Sequence, residues 1–362
     1  MVLRKNQANF DASDTPTFLD DLLVLNYVMD PTHPALAHQV EVVEKLALKF
    51  SLVTVLTGKS DWAPTAPNIR VFTSDWQPGH NIGNVYRFYR VFFQLIRKYK
   101  FVAVFSHMTS VQSCLAGPIL KLRKIKHLLW YAHAQNSTIL RIAYFWVTTL
   151  VTSTAGSCPL TGEKVLYLGQ SIDQNKFEAR RIARLPFRRF VHIGRTDPSK
   201  NLNLIVETVF RFRKFDEGIC LEFVGNPSGP QQKVELEKLM RIWADAIDQG
   251  WLVFSPAVPR VEIPNLLNQY DIFIHAFKGS LDKTLIEATM TRMPVITINQ
   301  EYINEFGSWG EYPVSLESEL AGILNSHQTE VDIKLSKRID IAIDKHSSKN
   351  WIAKLEASLR SK

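Results

Sequence analysis

The stretch Asp271–Ile298, DIFIHAFKGSLDKTLIEATMTRMPVITI, decides how the rest of the chain is read. Asp271 to His275 is a β-branched and aromatic run that suits a buried strand. A loop with one glycine follows, then a helix that opens near Asp282, then a second apolar strand from Pro294. Strand, glycine loop, helix and strand in that order form the repeating unit of a parallel α/β sheet. Such a unit leaves unpaired backbone N–H groups at its helix start, beside the carboxyl end of the sheet. Folds of this class bind phosphate there. Glu287 lies more than one turn into the helix, within reach of a ribose attached to that phosphate.

A second stretch, RFVHIGRTDPSKNLNLIVETV at Arg189–Val209, has the same character. Its strand ends in Gly194-Arg195, and Lys200 follows Arg195 by five positions, just before a helix. Glu287 is followed by Ala288 and then by Pro294-Val295-Ile296. Together these residues resemble the donor half of a retaining glycosyltransferase of family four, the glycosyl transferases group one. The resemblance implies the α/β GT-B architecture: two Rossmann-like parallel-sheet domains facing a central cleft, with a C-terminal helix crossing back to the N-terminal domain. It rests on motifs over about residues 165 to 300, and on the order of elements before that. One motif departs. The family carries two glutamates with seven residues between them; the first would fall on Gly279, and the usual Gly-Phe-Gly after it is replaced by Ser280-Leu281-Asp282.

A chain of 362 residues is long enough for two such domains. The expected boundaries are 1–172 for an acceptor domain, joined by a returning helix at about 345–362, and 173–344 for a nucleotide-sugar domain. Cys114, Cys158 and Cys220 are far apart and form no metal-binding pair, which suits a reducing compartment. The N-terminal MVLRKNQANFDASD is polar, lacks the apolar core of a signal peptide and reads as a loose tail. The longest apolar run, Ile142 to Val151, is about half of what a bilayer crossing needs. A cytoplasmic protein is expected, with contact at the inner face of the cell membrane as an added possibility.

Net charge is +8, but Trp76 to Gly162 holds ten Lys and Arg and no Asp or Glu, so the rest of the chain sums to −2. An anionic partner for the first domain follows from such a block. Within it, VYRFYRVFFQLIRKYK at Val85–Lys100 and LKLRKIK at Leu120–Lys126 combine apolar and basic positions. The bland reading is a core-packed helix with a solvated basic face; the sharper one is contact with an anionic membrane through residues 85–126. Five arginines at Arg180, Arg181, Arg184, Arg188 and Arg189 read as a charged linker.

Strands are expected at Leu22–Tyr27, Leu52–Leu56, Ile69–Phe72, Phe101–Phe105 and Leu128–Tyr131. Further ones are expected at Leu150–Ser153 and Lys164–Leu168. His38 and His107 fall near the carboxyl ends of two of them, in a loop and after a strand. The resemblance adds His133, after Trp130-Tyr131-Ala132, as a residue beside the transferred sugar. The last helix, Asn350–Leu359, carries Trp351 as an anchor.

Moving a sugar off a nucleotide requires stabilising a departing diphosphate, which fixed cations and backbone donors do. Arg195 and Lys200 supply the cations, and the helix start at Lys283, Thr284 and Leu285 the donors. Glu287 suits two ribose hydroxyls. Gly194 and Gly225 allow close backbone approach, Val258 lies where the resemblance puts the base, and Ser280, Leu281 and Asp282 line the loop. Asp282 is also a good N-cap that would compete with phosphate; turned toward the sugar, it would replace the missing first glutamate, with Ser280 assisting. No cofactor or metal is required, and no acidic metal-binding pair is evident.

The reading is therefore a retaining, hexosyl-type enzyme that uses a nucleotide sugar and a glycan or lipid-linked acceptor. A sugar-nucleotide epimerase of the same fold, or a catalytically impaired donor-binding scaffold, are the alternatives. The chain offers no nucleic-acid motif, and no GxGxxG follows Leu22–Tyr27 to suggest a dehydrogenase.

Overall fold

The computed structural model describes residues 20–33, 36–133, 135–178 and 183–361. The N-terminal tail, Pro34, Ala134 and the linker residues Arg180 and Arg181 lie outside the described residues. The chain divides into two compact units. One takes the described residues up to Thr152, Cys158–Tyr167 and the chain from Ile352 on; the other takes Ser153–Ser157 and Leu168–Trp351.

The first unit is built on seven strands: β1 (Asp21–Met29), β2 (Leu52–Ser60), β3 (Ile69–Thr73), β4 (Phe101–His107), β5 (Lys126–Trp130), β6 (Thr149–Thr152) and β7 (Val165–Tyr167). Their order is β3-β2-β1-β4-β5-β6-β7, and every pair is parallel. Leu22, Leu23, Val24 and Leu25 are wholly buried. A strand apolar on both faces must be covered on both, which places β1 centrally. The helix His38–Ala47 buries Val40, Val43 and Ala47, the stripe its spacing predicts. It begins at His38, so this residue opens a helix rather than sitting in a loop.

The helix expected from Val85 starts earlier, at Asn81, and runs to Lys98. The Asn84 amide accepts from Gln77 N–H at 2.9 Å and donates to the Gln77 carbonyl at 2.7 Å. These bonds hold a polar first turn that has no apolar periodicity to announce it. At the end of the chain Arg360 forks onto both oxygens of Asp20, beside the start of β1, at 2.6 and 2.9 Å.

The second unit has five parallel strands: β8 (Arg189–Ile193), β9 (Cys220–Val224), β10 (Leu252–Ser255), β11 (Ile272–His275) and β12 (Val295–Thr297). Their order is β10-β9-β8-β11-β12. The order reverses between β8 and β11, and the loops leaving those two strands form the crevice where sheets of this kind hold ligands. Arg195 and Lys200 follow β8; residues 276–282 follow β11. Just before β11 the Asp271 carboxylate accepts the N–H groups of Arg188 and Arg189 at 3.0 and 2.8 Å, tying the start of β8 to that of β11. The side chains of Phe190, Phe223, Ile272 and Ile274 pack one face of the sheet; those of Val191, Phe273, Leu285 and Ile286 pack the other.

Candidate functional site

Lys200 ends a single 3-10 turn, Pro198–Lys200, just before the helix Leu202–Arg213. Its side chain is only 6% exposed, and the ammonium lies 3.9 Å from the centre of the Phe277 ring. It donates to Asp282 Oδ2. The same oxygen is 3.0 Å from His275 Nε2, and His275 Nδ1 is 3.1 Å from Thr297 Oγ1. The Asp282 carboxylate can only accept, so the neutral imidazole carries its hydrogen on Nε2 and His275 Nδ1 accepts from the Thr297 hydroxyl, whose oxygen also accepts the Asn299 N–H at 3.0 Å. Burial lowers the His275 pKa, with the Asp282 carboxylate pulling the other way, so the ring is neutral at neutral pH. Burial raises the Asp282 pKa, but the hydrogen bond from His275 and the Lys200 charge outweigh it and hold the carboxyl well below its usual range.

Asp282 occupies the N-cap position of the helix Lys283–Met290, yet its side chain makes no capping hydrogen bond. The carboxylate points to Lys200 and His275 instead. The Asp282 side chain therefore does not occupy the helix donors for which a phosphate was expected to compete. Of the three backbone donors expected at this helix start, the Leu285 N–H is already taken by the Asp282 carbonyl at 3.2 Å. The Leu285 side chain is core, and Thr284 is half-buried.

The loop before that helix is tied down from outside. Asn299, wholly buried, donates its side-chain amide to the carbonyls of Phe277, Gly279 and Ser280 at 3.1, 2.9 and 3.4 Å. Gln170 donates to the Leu281 carbonyl at 2.5 Å, and Leu281 itself is buried. At Gly279 any Cβ would collide with the Phe277 ring. The Phe277 ring that covers Lys200 fills the space a side chain at residue 279 would take.

Arg195 and Glu287 stand in different surroundings. Arg195 is 63% exposed and lies 3.5 Å from Asp197, whose other oxygen accepts the Ser228 N–H at 2.8 Å. Glu287 has no exposed surface: one oxygen accepts from Arg260, while Oε2 is buried with no hydrogen-bond partner. Gly225 lacks a side chain for an internal reason, since a Cβ there would run into the Gly194 carbonyl. Val258 is partly buried against the core formed by β8, β11 and the helix Lys283–Met290. In the first unit, His133 is exposed on the loop after β5, with its ring 6.3 Å from that of Tyr131. His38 and His107 meet edge to face at 5.1 Å, at the ends of β1 and β4 where that sheet reverses order.

The sequence reading missed Arg260, His275, Phe277 and Asn299. Arg260 follows Pro259 in a polar loop with no motif. His275 interrupts an apolar strand, and a polar residue at the last position of a buried strand was the available signal. Among the described residues, no group of three or more His, Cys, Asp or Glu is placed to hold a metal ion, and no helix is long and apolar enough to cross a membrane.

Residues 187–316 match the family model for glycosyl transferases group 1, a segment confined to the second unit. No curated protein matches the chain. Among solved structures, a glycosyltransferase from Rickettsia africae is similar at 13% identity and a TM-score of 0.73, over 94% of this chain and 99% of that one. Anabaena Alr3699/HepE, solved with UDP and glucose, is similar at 14% identity and a TM-score of 0.70, over 95% and 100%. The lipopolysaccharide outer core galactosyltransferase WaaB is similar at 9% identity and a TM-score of 0.69, over 94% and 99%. At such identities the likeness establishes the fold, two parallel-sheet α/β units of the GT-B kind.

Proposed function

We propose that this chain, whose second unit carries a glycosyl transferases group 1 segment, transfers a sugar from a nucleoside-diphosphate sugar to a glycan or lipid-linked acceptor with retention. Its place would be in bacterial-type polysaccharide or glycolipid synthesis. The observation that carries the reading is the site at the sheet's point of reversal. There the nearly buried Lys200 ammonium, paired with Asp282, stands beside the start of the helix whose next turn bears the buried Glu287. That set suits a diphosphate and a ribose. HepE is solved with UDP and glucose, which supports a nucleotide-sugar donor here.

In this reading Lys200 and Arg195 offset the charge that develops on the departing diphosphate. Arg195, exposed on the loop after β8, supplies the planar fork; the uncapped start of the helix Lys283–Met290 supplies backbone donors. Glu287 Oε2, which has no exposed surface, reaches a ribose hydroxyl only when the loop bearing Arg260 opens; Gly194 leaves the phosphate an open approach, and Val258 lies by the base. Ser280, Leu281, Asp282, Thr284 and Leu285 form the loop and helix start that enclose the sugar phosphate. His133 is the residue that the resemblance assigns to the transferred sugar. Retention rests on the resemblance, in which the leaving phosphate takes the acceptor's proton; no metal or other cofactor is needed for that step.

Membrane contact belongs to the same proposal. On the helix Asn81–Lys98 the residues Ile82, Tyr86, Arg90, Phe93 and Arg97 are all exposed. Their spacing of four, four, three and four puts them on one face. Ile82 at 89% and Tyr86 at 69% exposure are unusual for a soluble helix. An apolar and arginine-bearing stripe of this kind suits an anionic lipid surface.

A panel of UDP- and GDP-sugars tested by thermal shift checks the donor, because ligand bound only to the native state raises the melting temperature. Stabilisation by one of them, lost in Arg195→Ala, is expected; no response to any would overturn the reading. Sedimentation with phosphatidylglycerol vesicles checks the surface. Binding that survives Ile82→Ser/Tyr86→Ser would remove the helix from it.

A further inference from the structure

We infer that Asp282 is an exchangeable counter-ion for Lys200: its carboxylate holds the ammonium in the empty site, yields it to the diphosphate of a nucleotide, and takes it back as the nucleotide leaves. The inference rests on the donor reading above and gives one residue of that site a defined task.

Three observations carry it. First, Asp282 stands where a carboxylate normally caps its helix, yet it forgoes the cap and reaches Lys200. Second, the Lys200 ammonium is withdrawn from solvent beneath the Phe277 ring. An ammonium so placed is costly without an anion, and a carboxylate oxygen and a phosphate oxygen are equivalent acceptors for it. Exchange of one for the other keeps a charge-assisted bond throughout and never leaves the cation bare. Third, the carboxylate has a second anchor that does not depend on Lys200. His275, fully buried and hydrogen-bonded at Nδ1 to the Thr297 hydroxyl, donates its Nε2–H to Asp282 at 3.0 Å. His275 is thus a positioning residue that keeps the displaced carboxylate close enough to return. Asp282 keeps a quarter of its side chain exposed, and that open side is where the carboxylate turns when it yields Lys200.

The consequence is a trade between affinity and release. With Asp282 present, a nucleoside diphosphate must compete for Lys200; with the charge removed, it binds without competition and leaves slowly. This sign is opposite to that of a carboxylate which contacts the sugar and contributes binding.

The test is calorimetric titration of UDP, GDP and inorganic pyrophosphate into the full chain, with stopped-flow release of whichever nucleotide binds. Asp282→Asn keeps an acceptor for His275 and removes the charge; its dissociation constant for the bound nucleotide should fall about tenfold, the scale of one charge-assisted hydrogen bond. Release should slow in step. In Lys200→Met the nucleotide binds weakly, and adding Asp282→Asn to it should give no gain. Asp282→Ser serves as a second variant if the Asn form does not fold. Binding to Asp282→Asn that is no tighter than wild type, or an equal gain in the Lys200→Met background, would overturn the counter-ion while leaving the donor reading standing. Absence of binding of all three probes to wild type and variants alike would overturn the donor reading, and the counter-ion with it.

Discussion

The side-chain amide of Asn299 holds the Gly279 carbonyl at 2.9 Å, binding the loop after β11 to the residue that caps the helix Gln300–Phe306. Asn299 accepts the Tyr302 N–H at 3.1 Å through its oxygen while its nitrogen serves the loop carbonyls. One buried side chain therefore sets both the loop and the next helix. Removing it leaves buried carbonyls without donors, which costs about 1–3 kcal/mol for each group so exposed to loss. Asn299→Ala should lower stability by about that much in urea unfolding and weaken nucleotide binding together. An unchanged unfolding midpoint would show that the loop holds its shape unaided.

Gly279 and Phe277 compete for one space. A methyl at residue 279 meets the Phe277 ring, and overpacking of this kind costs about 1–3 kcal/mol. Gly279→Ala is expected to be destabilised within that range, and Phe277→Leu in the same chain to recover part of the loss by clearing the ring edge. Gly279→Glu with Phe277 intact should unfold more easily than wild type instead of gaining donor affinity. Equal urea midpoints for Gly279→Ala and wild type would show that the ring moves aside freely.

Much of the fold was legible because burial writes itself into local pattern. β1 and β11 are apolar on both faces, the pattern of buried strands. At Lys200 the motif spacing singles out a residue whose ammonium the structure buries against Asp282. The site was not legible at Asp282, whose sequence signal is that of an N-cap while its partner is a lysine 82 residues earlier in the chain. Local propensity carries no information about such a pair. Arg260 and Asn299 escaped for the same reason: each acts on a residue from another element, and neither interrupts a periodic pattern. Glu287 was expected to face a ligand; its complete burial against Arg260 depends on how the loop after β10 folds back over the helix.

Arg195 and Arg260 should separate binding from stability. Arg195 is mostly solvent-exposed and 3.5 Å from Asp197, a surface pair worth about 0–1 kcal/mol. Arg195→Ala should leave the urea midpoint nearly unchanged and still reduce nucleotide affinity. Arg260, half-exposed, neutralises a carboxylate that is wholly inside. Arg260→Ala strands that charge, and a loss of about 1–3 kcal/mol is expected; Glu287→Gln, which removes the charge in place, should cost less. Should Arg260→Ala prove as stable as wild type in urea, the Glu287 carboxylate must have another counter-charge.

Lys334 gives a stability profile with a definite sign. Its ammonium donates to the Ser308 carbonyl and sits 4.5 Å from the Trp309 ring centre, with Arg338 over the same ring. Burial, then the Arg338 charge, lower its pKa from 10.5 to about 8, with Glu319 acting in the opposite sense. Below about pH 8 the lysine is protonated in both folded and unfolded chains, and the penalty for its buried charge is fully present. Between about 8 and 10.5 the unfolded chain holds a proton that the folded one has released, so stability from this residue rises with pH. Urea unfolding of wild type and Lys334→Met at pH 7.5 and pH 10, both on the order of the window's edges, checks this. The wild type should gain on the variant at the higher pH, and the difference cancels titrations common to both. A difference that stays constant, or that moves against the wild type, would mean that the Lys334 ammonium keeps its ordinary affinity for the proton in the folded chain.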